Sequence, residues 1–383
     1  METIVDFLER EQRTFAELAL TPVDSLVLSS LVYFNFDAAG VVERQSSREV
    51  LLHDVVALTP HDALTASSWL EDAELTGRFV HAVMASRRLR DVRVTFFVNE
   101  YARAIEKQFS AAAFLLPRAV RGADAVYLAF RGTDGTLAGW KEDFNLTFKN
   151  VIPSQAAALQ YLSGVGSALA GPLVLGGHSK GGNLAQYAAL TCDDSLFERI
   201  GAVYDHDGPS FFDDPSPRAS SEVFLRKLHK TVPSSSVFGL MLERRGDYAI
   251  VASDAPPFLS HSPFTWMVAG ADFAYAEKLT RGSATFDRSL DEWLHSVDAG
   301  KRELFIDTVY ELLMSTEAST WSEFQENLPK NIATIARHGA GLDSELRGFL
   351  LRTFAQGVGI LTSSTARSIL PDPPKRLPSS SEG

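Results

Sequence analysis

The chain has 383 residues, 45% of them apolar and 22% charged, the composition of an ordinary globular protein with ample material for a core. Its formal net charge of −12 speaks against nucleic acid as a partner, because phosphate binding needs clustered cations. Cys192 is the only cysteine, so an intrachain disulfide and a thiolate metal cluster are excluded and a reducing compartment is the simplest expectation.

The N-terminal stretch "METIVDFLEREQRTFAEL" mixes acids into its apolar pattern and lacks a basic segment followed by a small-residue cleavage site. No uncharged apolar run reaches the roughly 18 residues of a membrane span. A cytoplasmic protein without a membrane span is therefore expected. Transient contact with a membrane surface and the oligomeric state stay open.

Residues 1 to about 60 read as a helix, then the apolar segment "SLVLSSLVYFNF", then a polar stretch. From about 64 to 107 the pattern is mainly helical, with Phe79, Val80, Val83 and Met84 on one face. "FSAAAFLLP" and "AVYLAFRG" are short apolar runs joined by "RAVRGAD", a hairpin with glycine in its turn. "SQAAALQYLSGVGSALA" is helical in spacing and leads into the buried strand "PLVLGG"; the helix "GGNLAQYAAL" and the strand "IGAVYDHDG" follow. "SSVFGLML" and "DYAIVAS" read as two more short strands. Strands alternating with helices, the strands nearly continuous in apolar residues, predict an α/β fold with a mostly parallel sheet covered on both faces.

Helix returns over residues 285–365. Phe305, Val309 and Leu312 share a face, Thr320 and Glu323 form a capping box, and Leu346, Phe349, Leu350 and Phe354 form another apolar stripe. The expected organisation is an α/β domain over 1–284 with an N-terminal helical elaboration, a helical cap or appendage over 285–365, and a disordered tail over 366–383 that ends in "PDPPKRLPSSSEG".

The segment "LVLGGHSKGGNLAQYAAL", residues 173–190, places Ser179 between Gly177 and Gly181. An apolar strand precedes the serine and a helix of small residues follows, which is the strand–turn–helix of a nucleophile elbow. Side chains two residues either side of such a strained serine would collide, so glycine is needed at 177 and 181, and Gly182 lets the helix pack close to the sheet. The helix N-terminus turns free N–H groups and the positive dipole end toward developing negative charge. The plainer alternative is a glycine-rich turn that happens to contain a serine.

An elbow needs an oxyanion hole, made from the N–H after the nucleophile and another from a loop after an earlier strand. Lys180 supplies the first. In "VYLAFRGTDGTLAGWKEDF" the chain turns at the end of a strand, and Thr133 would offer its N–H and its hydroxyl there; a plain glycine turn is the alternative. The base follows the serine in chain order, which leaves His206, His229, His261, His295 and His338. His206 sits among the candidate acids, His229 lies between lysines where solvent is expected, and His295 and His338 fall in helical contexts. His261, in the loop after "DYAIVAS", is the choice for the base. For the acid, Asp207 at the end of "IGAVYDHDG" is the first choice, with Asp205 and Asp254 as alternatives. A turn-forming aspartate is the competing reading of each. No phosphate loop, H-E-x-x-H or EF-hand pattern occurs, so neither metal nor cofactor is expected. Phe264 and Trp266 read as core or pocket wall.

"AFRGTDGTLAGWKEDF", "GGHSKGGNLAQYAA", "YDHDGPSF", "VPSSSVFGLML" and "HSPFTW", in this order, resemble the Mbeg-like group, a bacterial family of lipase-like α/β-hydrolases catalogued as a domain of unknown function. "FAELALTPVDSLVLSSLVYFNF" fits that family's N-terminus, so the resemblance spans roughly residues 12–300. More distantly the chain resembles the class-three, fungal-type lipases. The resemblance implies an α/β-hydrolase fold with Ser179 as nucleophile, Thr133 as oxyanion donor and His261 as base. One departure stands out: class-three lipases carry their acid just before a Val-Pro pair, and here "LHKTVPSSS" puts Lys230 and Thr231 there. Either the acid has moved to Asp207 or the triad is incomplete.

These features predict a serine hydrolase that cleaves a small-molecule or lipid ester through an acyl-enzyme on Ser179. A catalytically silent scaffold used for binding, and an acyltransferase or thioesterase working from the same site, are the alternatives.

Overall fold

The computed structural model describes residues 2–40, 45–66, 73–134, 141–143, 145, 146, 149, 151–257, 259–285, 299–318, 323, 327–341 and 344–348. Eight strands lie side by side in chain order: β1 (Val50–Leu51), β2 (Arg93–Ala102), β3 (Lys107–Val120), β4 (Ala123–Phe130), β5 (Leu173–His178), β6 (Ile200–His206), β7 (Leu228–Pro233) and β8 (Ala249–Val251). Neighbours from β1 to β4 are antiparallel, and those from β4 to β8 are parallel.

The pleat sorts each strand's side chains onto two faces. Val126, Leu128 and Phe130 of β4 join one core with the helices Pro153–Ala168 and Lys180–Thr191. Tyr127 and Ala129 enter a second core with the helices Pro22–Leu31 and Ala73–Ala85. Local chemistry sets the helix starts: Pro153 occupies the first turn of its helix. Thr21 and Asp24 cap the start of Pro22–Leu31 reciprocally. Asp24 also takes both arms of the buried Arg88 guanidinium, at 2.6 Å each.

Two expectations need correction. Residues 93–102 are the strand β2, not helix; the register slips between Thr95 and Val98, where Phe96 has φ 50°. This bulge breaks the alternation that marks a strand, while the helical face of Phe79, Val80 and Val83 belongs to Ala73–Ala85. "SSVFGLML" forms turns rather than a strand. The strand is the preceding "LHKTVP", β7, whose apolar run is interrupted by the buried Lys230.

The first part of "SLVLSSLVYFNF" lies in the helix Pro22–Leu31. In the C-terminal region the helices Ala299–Met314 and Leu328–Gly339 are described. The first touches the α/β domain at Lys141, whose Nζ lies 3.5 Å from Asp307 Oδ1 and 4.9 Å from the Tyr310 ring centroid. His295, Thr320, Phe349, Leu350, Phe354 and the tail fall outside the described residues. Among the described residues no helix is long and apolar enough to cross a membrane. A sheet covered on both faces, with a strand–turn–helix within its parallel part, is the α/β-hydrolase fold.

Candidate active site

Ser179 is the single residue between β5 and the helix Lys180–Thr191, and it has φ 58° and ψ −135°. Positive φ in a residue with a side chain is strained and persists only where its surroundings enforce it. Here the Ser179 N–H donates to His206 O at 2.9 Å, and Gly182 N–H donates to Ser179 O at 2.9 Å. The glycines have a steric reason. A Cβ on Gly177 would overlap the Gly181 backbone, and one on Gly181 would overlap the Phe130 carbonyl.

Phe130 ends β4 opposite Gly177 of β5, so Arg131-Gly132-Thr133 leaves the sheet beside the elbow. A Cβ on Gly132 would lie 3.1 Å from the Ser179 Cβ. The Thr133 N–H makes no hydrogen bond among the described residues, and the Lys180 N–H is the first of its helix, a position without an intrahelical acceptor. The Thr133 hydroxyl donates to Asp143 Oδ2, so of its two donor groups the backbone N–H is the one without a protein acceptor among the described residues.

His261 Nδ1 donates to Asp207 Oδ2 at 2.6 Å, with Asp207 fully buried and the His261 side chain 13% exposed. Asp207 itself has φ 57°. Its N–H donates to Thr231 O at 2.8 Å, and its Oδ1 accepts from Ser236 Oγ at 2.5 Å and from Gly239 N at 3.0 Å. The backbone of His261 is tied to the elbow: His178 Nε2 donates to His261 O at 2.7 Å, and the two rings stand 4.5 Å apart. Ser179 Oγ makes no hydrogen bond to His261 among the described residues, and such contacts commonly tighten only when substrate arrives.

The remaining candidates lie elsewhere. Asp205 is buried and accepts from Gly208 N at 2.8 Å and Gln186 Nε2 at 2.6 Å, and it faces Lys230 Nζ at 3.4 Å. Burial pushes its carboxyl up to about 6. Asp254 is exposed and makes no hydrogen bond to His261. His206 is enclosed between Ser25 Oγ and Thr231 Oγ1, at 2.9 and 2.8 Å, and burial holds it down to about 3. His229 is exposed against Tyr204, and His338 is exposed on its helix. Phe264 and Trp266 are core.

Several contributors carry no motif. Ser236 and Gly239 belong to the turns mistaken for a strand. The Lys230 Nζ donates to Gly208 O and Ser210 Oγ, each at 2.9 Å, and meets Glu243 at 3.0 Å, so it grips the turn that carries Asp207. β6 and β7 pair His206 with Thr231; the carboxylate that reaches His261 belongs to Asp207, the residue that follows β6, and Lys230 stands on β7. On the other side, Lys180 Nζ donates to Glu142 Oε2 at 2.9 Å and lies 3.7 Å from Asp143 Oδ1. Burial alone would lower the Lys180 pKa, but Glu142 and Asp143 outweigh it and hold it above the ordinary lysine value. Burial raises Asp143 to about 6. Buried His178 is held well below the usual histidine range by desolvation and by the neighbouring His261. Among the described residues no group of His, Cys, Asp and Glu could hold a metal ion.

Among solved structures the chain is similar to M37 lipase, at 13% identity over 58% of this chain and 70% of that one, with a TM-score of 0.37. It is also similar to Rhizomucor miehei lipase in its propeptide complex, at 14% identity over 61% of this chain and 86% of that one, with a TM-score of 0.32. No curated protein sequence matches it. The Mbeg1-like family model matches residues 83–311, a stretch that holds the elbow, the strand end bearing Thr133 and the Asp207–His261 pair. The match takes in more than half of the chain, which belongs to the Mbeg1-like family.

Proposed function

We propose that the protein is a serine hydrolase that cleaves carboxylic esters, small-molecule or lipid, through an acyl-enzyme on Ser179. The observation that carries this reading is the 2.6 Å contact between buried Asp207 and His261, tied through His178 to a serine held at positive φ. In this mechanism Ser179 Oγ attacks the ester carbonyl while His261 Nε2 takes its proton. Asp207 holds the Nδ1–H tautomer and stabilises the imidazolium. The tetrahedral oxyanion accepts hydrogen bonds from the N–H groups of Thr133 and Lys180. Collapse expels the alcohol, which receives the proton from His261. Water, deprotonated by His261, then attacks the acyl carbonyl; the acyl–Oγ bond breaks, His261 returns the proton to Ser179 Oγ, and the acid leaves.

Turnover of p-nitrophenyl esters of graded chain length tests this. The wild-type protein should hydrolyse at least one member, and Ser179→Ala and His261→Ala should fall to background. A Ser179→Ala variant with wild-type turnover would overturn the assignment, and a wild-type protein inert to the whole panel would favour a silent binding scaffold.

A further inference from the structure

The two N–H groups of the oxyanion hole come from segments far apart in the chain, and their value depends on being fixed relative to each other before reaction. The Lys180 side chain spans that gap. Its Nζ leaves the elbow for the interior, where it donates to Glu142 Oε2 at 2.9 Å and to Gln108 O at 3.2 Å. The two charged side chains are 0% and 1% exposed. Glu142 also accepts from Gln108 N at 3.1 Å, Ser154 Oγ at 2.8 Å and Ser154 N at 2.9 Å. It is thereby pinned to β3, to the helix Pro153–Ala168 and to the elbow. The next residue, Asp143, receives the Thr133 hydroxyl.

Stability alone is a poor reason for this pair. A buried ion pair is often matched or bettered by apolar residues of the same volume, and a cation on the first residue of a helix opposes the helix dipole. Position is the better reason. Lys180 bears one oxyanion N–H on its backbone, and its ammonium grips the segment that orients the residue bearing the other. We infer that the Lys180 side chain is a positioning residue of the oxyanion hole, holding Thr133 in register with the elbow through Glu142.

This rests on the reading of Ser179 as nucleophile. Lys180→Met keeps the backbone N–H and most of the side-chain length but removes the ammonium. The double variant Lys180→Met/Glu142→Gln also removes the carboxylate that the ammonium meets at 2.9 Å, and leaves Asp143 its hydrogen bond from the Thr133 hydroxyl. Three quantities are compared in the full chain: kcat, KM, and the inhibition constant of an alkyl boronic acid, whose tetrahedral adduct places an oxygen in the oxyanion hole. The expected result in both variants is a kcat lower by about 10- to 100-fold with KM little changed. Boronate affinity should weaken by the same factor as kcat/KM. A folded double variant with wild-type kcat and boronate affinity would overturn the inference, as would a rise in KM at unchanged kcat. A wild-type protein that neither turns over esters nor binds the boronate would overturn the hydrolase reading, and the inference with it.

Discussion

Asp207 is held in left-handed backbone, φ 57°, by its own N–H bond to Thr231 O and by the donors Ser236 and Gly239 on its Oδ1. Asparagine tolerates that conformation and can keep an oxygen toward Ser236 and Gly239. Its amide nitrogen would then face His261 Nδ1 and select the tautomer with the proton on Nε2, which cannot accept the serine proton. Asp207→Asn should therefore fold normally yet lose kcat by roughly 10³- to 10⁴-fold, as read by steady-state ester hydrolysis. A variant within threefold of wild type would show that Asp207 is a turn residue only. Ser179, Asp207 and His261 were visible in the sequence because each follows an apolar strand or its loop. Glu142 and Lys230 were not, because their partners lie 38 and 22 residues away and nothing local marks a charged residue as buried.

β6 supplies the element-scale case. Its last residue, His206, is fully enclosed, and desolvation lowers its pKa from 6.5 to about 3. The unfolded chain therefore binds a proton that the folded chain refuses, so this residue's contribution is complete above pH 6.5 and is lost as pH falls toward 3. Asp143 and Asp205, raised from 3.8 to about 6, have the opposite sign: folding binds their protons more tightly, which favours the native state as pH falls through that window. Comparing wild type with His206→Gln cancels the carboxylates. The stability advantage of wild type, measured by urea unfolding, should shrink from pH 6.5 downward by up to about 1.4 kcal/mol per pH unit. A constant difference across that range would contradict it. The same scale shows why β2 and β7 were hard to read. A bulge at Phe96 breaks the alternation in one, and a buried ammonium interrupts the apolar run of the other.

At the scale of the whole molecule the sequence was most informative about layering. Alternate residues of β4 enter separate cores, and that two-sided burial is what a near-continuous apolar strand encodes. Long-range docking was silent: nothing local indicates that Ala299–Met314 meets Lys141, next to the Glu142–Asp143 pair. The site is assembled from β4, β5, β6 and the loop bearing His261, so its activity tests the folded arrangement as well as one serine. The most direct measurement is reaction of the full chain with a fluorophosphonate, followed by intact-mass analysis and peptide mapping. The predicted result is a single adduct on Ser179, absent from Ser179→Ala and formed far more slowly in His261→Ala. No adduct on the wild-type protein, or one that persists in Ser179→Ala, would contradict it.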